Sequence, residues 1–146
     1  MSLSSVWLRT QGDGLVRADQ VVGIDAHQTP ALTGKPARWL LDIVLEASVG
    51  SGQRGDWGLD VLHRTLAQTP QPPGDAPGDA PAVLARLLAQ LDAMNAAGIV
   101  TVARRDRQDR DSADDGLQAE TSVLRFRFEP FAGPPGPRAE PEGEYL

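Results

Sequence analysis

Cysteine is absent from the sequence, which removes disulfide frameworks, thiolate zinc sites and thiol nucleophiles together. Histidine occurs only at His27 and His63. Neither has a second histidine or a carboxylate at ligand spacing, so the order of residues nominates no metal ligand and no histidine-based triad. Lysine occurs once, at Lys35, against thirteen arginines; with the abundant Ala, Gly, Pro and Asp, this points to a GC-rich bacterial genome. Long apolar runs are also missing. No stretch approaches the ~20 apolar residues that span a bilayer, and Met1 to Val6 shows neither the basic region nor the apolar run of a secretory leader. The expectation is a soluble, cytoplasmic protein with no membrane partner.

What is present suits one small domain. The chain has 146 residues and a net charge of −6, which averaged over the surface repels nucleic acid and makes it an unexpected partner. Fifteen glycines and twelve prolines gather in a few segments, so the shortage of apolar residues lies in loops and tails rather than in the core.

Val6 to Gln11 is apolar and β-prone, and Gly12-Asp13-Gly14 supplies turn residues that tolerate positive φ. Leu15 to Asp25 reads as the returning strand of a hairpin, although Val21 breaks its alternation. Pro30, Gly34 and Pro36 mark a loop containing His27, and Trp39 to Glu46 reads as a central strand with Trp39, Leu41, Ile43 and Leu45 on one face. Asp56 is a candidate N-cap for a first helix, in which Leu59, Leu62 and Leu66 recur at helical spacing, His63 is half-exposed and Thr69-Pro70 ends the run. The duplicated G-D-A-P of Gly74–Pro77 and Gly78–Pro81 reads as a linker. A second helix follows, capped at Asp79 or Ala80, with Pro81 near its first turn, a stripe of Leu84, Leu87, Leu88, Leu91 and Met94, and a stop at Gly98. Ile99 to Arg104 and Thr121 to Glu129 form a second predicted hairpin, the latter with Leu124, Phe126 and Phe128 inward and Arg125 and Arg127 outward. Between them Arg105 to Glu120 mixes both charges with few apolar residues and reads as a mobile loop.

Gly50-Ser51-Gly52-Gln53-Arg54-Gly55 matches G-x-G-x-x-G between a predicted strand and a predicted helix, the context of a dinucleotide fingerprint. No parallel βαβ unit follows, however, and Asp56 would set a carboxylate where the pyrophosphate should lie. A plain strand-to-helix connection is the better reading. Arg54-Gly55-Asp56 spells an extracellular adhesion tripeptide, which in a cytoplasmic chain reduces to a helix cap. Asp106, Asp109, Asp111, Asp114 and Asp115 alternate with arginines in a segment too loose to position a catalytic pair. Of the tryptophans, Trp39 is expected in the core, while Trp7 and Trp57 suit either core or contact surface.

The opening Trp7-Leu8-Arg9-Thr10-Gln11, followed by a Gly-rich turn and Leu15-Val16, resembles the start of small bacterial proteins that open W-[I/L]-R-[S/T]-Q-[D/N]-G. The likeness departs at Gly12-Asp13, where the turn residues are inverted. That family has no assigned activity, so the resemblance implies none.

The expected architecture is α+β: a small antiparallel sheet of about five strands packed on two helices over residues 1–130, with a disordered Pro/Gly/Glu tail over 131–146. No catalytic, cofactor-binding or metal residue is nominated. The expected function is a non-catalytic bacterial protein-interaction or structural module with a protein partner. One alternative is a winged-helix-like DNA binder, because residues 57–129 read helix, helix, strand, loop, strand and the loop could carry Arg104, Arg105, Arg107 and Arg110. The other is a nucleotide-binding enzyme using Gly50–Gly55. A chain truncated after Pro130 is expected to fold normally; a melting temperature lowered by more than about 5 °C, roughly 1 kcal/mol for a domain of this size, would show that the tail belongs to the fold.

Overall fold

The computed structural model describes residues 2–46, 63–70, 78–105, 117–121 and 123–132. The segment Gly50–Gly55, with Asp56, Trp57, Leu59 and Leu62, lies outside the described residues, as do the aspartates of 106–115 and the tail from residue 133.

Eight strands, one helix and a single 3-10 turn make up the described architecture. Strand β1 (Val6–Arg9) turns back through Asp13, which takes φ +63°, into β2 (Leu15–Arg17), with Leu8 opposite Val16. The turn is tied by the Thr10 hydroxyl, which accepts from the Gly14 amide at 3.0 Å. The returning strand does not run on to Asp25 as the sequence suggests. A 3-10 turn at Ala18–Gln20 ends it, and β3 (Val21–Gln28) starts afresh in a different sheet. The break in alternation at Val21 is the trace of this exchange.

Strand β3 pairs antiparallel with β4 (Arg38–Leu45), with a register shift between Val21 and Gly23. β4 then pairs antiparallel with β5 (His63–Pro70). This gives a three-stranded sheet in the order β3-β4-β5, with β4 central. The expected first helix is therefore overturned where it can be seen: residues 63–70 are extended, and His63 is an exposed strand residue. The reason lies at Leu66. Leu41 pairs with Ala67 while Asp42 pairs with Thr65, so Leu66 falls in a bulge and still turns inward, 4% exposed. An inward residue out of step with the strand period mimics helical spacing to Leu59 and Leu62.

The one helix, α1 (Ala80–Ala93), carries proline in its first turn and buries Leu84, Leu87, Leu88 and Leu91. Met94 is an exception to the expected stripe at 62% exposure. The helix stops at Asn95 rather than at Gly98. Asn95 takes φ +49°, its amide reaches the Asp92 carbonyl and the Ala96 amide reaches the Leu91 carbonyl, both at 3.0 Å, which is a complete Schellman closure. Asp79 occupies the N-cap position without a side-chain cap bond.

Gly98 instead opens β6 (Gly98–Arg104), which pairs parallel with β1 and antiparallel with β8 (Leu124–Pro130). A Cβ at Gly98 would collide with the Glu129 carbonyl and the Phe128 ring, so close packing fixes glycine here. The second predicted hairpin thus appears as the β6–β8 pair, with Leu124, Phe126 and Phe128 buried. Part of the intervening loop is also ordered: Gln118–Glu120 form β7 on the outer edge of β8, and Glu120 bridges Arg105 at 3.3 Å and Arg125 at 3.0 Å. The second sheet reads β2-β1-β6-β8-β7.

The α+β expectation of one antiparallel sheet on two helices is thus replaced by two sheets, one with a parallel pair, and a single helix among the described residues. Both sheets and the helix share one buried cluster running from Val6 and Leu8 through Leu84, Leu87 and Leu91 to Ile43 and Phe126. Trp39 is half-buried rather than in that cluster, as is Trp7. Leu91→Ala is expected to cost about 2–5 kcal/mol, whereas Met94→Ala should stay within about 0.5 kcal/mol; equal effects in chemical denaturation would mean the helix presents another face.

Candidate functional site

Two features of the three-stranded sheet have functional potential. The first is on its outer face. Register places Asp25 opposite Asp42 and His27 opposite Leu40, so alternation sets Asp25, His27 and Asp42 on one side and Ile24, Ala26, Leu41 and Ile43 on the core side. His27 lies within β3, not in a loop, and its Nε2 is 2.7 Å from Asp42 Oδ2. Asp42 is 4% exposed, and its Oδ1 is buried with no hydrogen-bond partner among the described residues.

The pair has two members of a triad. It orients an imidazole as a base would be oriented, but no described hydroxyl is hydrogen-bonded to His27: that of Thr29, two residues along, accepts from the Arg38 amide at 2.9 Å, and Thr65 sits across from Asp42. His63 pairs with Val44 at the far end of the same strand. Among the described residues no group of three or more potential ligands gathers to hold a metal. Sequence reading missed this contact because fifteen residues separate the partners. The only signal that could find it is the β3–β4 register, which requires His27 to be read as strand.

The second feature is a groove of about 610 Å³ between β3 and the helix. The helix contributes Pro81, Ala82, Ala85, Leu88, Ala89 and Asp92, a single stripe along its length; Leu3, Ala18 and the first half of β3 form the other wall. Ala82, Ala85 and Ala89 are exposed and small, which holds the groove open, and Val22, pushed out by the bulge, is 65% exposed on its rim. Asp92 is its one charged lining residue.

A smaller cleft of about 310 Å³ lies where the two sheets meet, with Arg9, Asp13, Gln68 and Arg104 in its wall. Arg104 and Arg105 were the described members of the expected DNA-contacting wing. Arg105 is engaged by Glu120 and by the Thr121 carbonyl, and residues 63–70 of the helix expected before the recognition helix are strand β5, so the winged-helix order of elements is not present among the described residues. No helix is long and apolar enough to cross a membrane among the described residues.

No protein-family model, curated protein or solved structure matches the chain.

The Asp42 environment makes an asymmetric prediction. His27→Ala removes the only described partner of a buried carboxylate and should destabilise by roughly 1–3 kcal/mol. Asp42→Leu, between Leu40 and Val44 on the same face, removes the orphaned oxygen as well and should be near neutral or stabilising. The reverse order in urea unfolding would show that the pair, rather than the burial of Asp42, sets the cost.

Proposed function

We propose that the chain is a non-catalytic protein-interaction module whose contact surface is the groove between β3 and α1. The observation that carries this reading is the groove itself: an open, mainly apolar concavity of about 610 Å³ on a small protein. Apolar hollows with a few polar groups are the usual form of a recognition site, and leaving such a surface in water is unfavourable unless something covers it.

The reading is tested by filling the groove with charge. Ala85→Glu together with Ala89→Glu keeps helix propensity and lies on exposed positions, so the melting temperature should move by no more than about 4 °C. Tagged wild-type protein in a bacterial lysate should retain a partner that the double variant loses. Equal retention by both proteins would place the contact surface elsewhere.

A further inference from the structure

We propose that the occupant of this groove is an extended, apolar, basic peptide segment that adds as a fourth strand to the free edge of β3; the proposal rests on the interaction reading above and names the partner's chemistry.

The backbone supplies the first argument. β3 is an edge strand, paired only with β4 among the described residues. Thr29 donates to the Arg38 carbonyl at 2.7 Å, in register with the pairs His27–Leu40 and Asp25–Asp42. Hydrogen-bonded pairs alternate along an antiparallel ladder, so residues 25, 27 and 29 face β4 and the amides and carbonyls of Ile24, Ala26 and Gln28 face outward. None of these outward groups has a partner among the described residues. A docked helix or a flat apolar surface satisfies none of them, whereas an extended peptide satisfies them in alternation.

Side chains supply the second argument. Ile24, Ala26 and Gln28 point to the core side of their sheet, the side on which the helix lies. Of the three, Ile24 lines the groove, opposite Ala82, Ala85 and Ala89, so the part of an added strand that lies beside Ile24 and the start of β3 sends side chains toward those alanines, where small residues have left room. Its other residues flank Asp25 on the outer face.

Charge supplies the third. Asp92 closes one end of the groove, on the last turn of a helix that carries no basic residue there. The dipole of the helix adds to its negative potential. Asp25 is exposed. Neither carboxylate has an ion-pair partner among the described residues. Basic residues on the two faces of the incoming strand complement them, one beside Asp25 on the outer face and one toward Asp92 in the groove.

The test uses the full chain, immobilised, with a phage-displayed library of random short peptides as the probe. Selected sequences are expected to alternate apolar residues and to carry Lys or Arg toward one end. Synthetic copies should bind by fluorescence anisotropy, and copies N-methylated on the amides that face β3 should bind at least roughly tenfold more weakly, the loss expected from one or two net hydrogen bonds. Asp92→Lys should reverse the preference from basic to acidic peptides. Ala26→Pro removes an edge donor without touching the β4 ladder and should abolish binding; if it does not fold, the N-methylated peptides decide alone. Absence of enrichment, enrichment of proline-rich or helix-forming sequences, or unchanged affinity on N-methylation would overturn strand addition. Those results together with partner loss in the Ala85→Glu/Ala89→Glu protein would leave the interaction reading standing. An unchanged lysate partner would remove the groove as the contact surface, and strand addition beside it with it.

Discussion

The parallel pairing of β1 with β6 holds the chain together. Val6 lies beside Gly98, Trp7 beside Ile99 and Leu8 beside Val100, and the Gly98 amide donates to the Ser5 carbonyl at 3.0 Å. Without that ladder the larger sheet would separate into a two-stranded hairpin, marginal in water, and the β6-β8-β7 unit. With it, Leu8, Val100 and Phe128 line up across three strands and give the leucine stripe of α1 a floor. Gly98 makes the join possible because the Phe128 ring occupies the space that any side chain there would need. The helix, the three-stranded sheet and the larger sheet then close over one cluster.

Such pairing is invisible to local reading. A hairpin announces itself through turn residues and two adjacent apolar runs, which is why the β1–β2 and β6–β8 pairs could be anticipated from Gly12-Asp13-Gly14 and from the alternation of Leu124, Phe126 and Phe128. A parallel ladder between strands so far apart in the chain leaves no such trace, because its connection contains the three-stranded sheet and the helix. The helix at Ala80–Ala93 was legible for the opposite reason. Its leucines recur at the helical period behind a leading proline. Its end was less legible: the Schellman closure at Asn95 stops it before Gly98 and takes the chain off the helix axis beside the exposed Met94.

The two misread stretches have different causes. Leu15–Asp25 reads as one strand, but the 3-10 turn at Ala18–Gln20 carries the chain from one sheet to the other. At Leu66 a single extra residue shifts the register of β5, so an alternation test fails at the place where the strand is real. At Leu66 the displaced residue completed a helical pattern, and a strand was taken for a helix. The candidate site suffered with it. His27 meets Asp42 only if both β3 and β4 are placed as strands in a particular register, and the groove exists only because the chain leaves the larger sheet at Ala18–Gln20 and re-enters structure beside the helix.

The bulge at Val22 also bears on why one sheet edge is left open. Exposed edges invite pairing with other chains, and proteins blunt them with short strands, charges, bulges or proline. β2 is three residues long and so is β7, the latter fastened by the ion pairs of Glu120. β5 bends at Leu66 and finishes on Pro70. β3 is eight residues long, its one irregularity lies at its beginning, and from Ile24 to Gln28 it runs in unbroken register with β4. Three of the four described edges are thus closed by ordinary means, and the fourth is regular, unpaired and bordered by an apolar groove. Among the described residues only that edge is both regular and unpaired, beside the exposed alanines of α1, which is why the proposed strand is placed there.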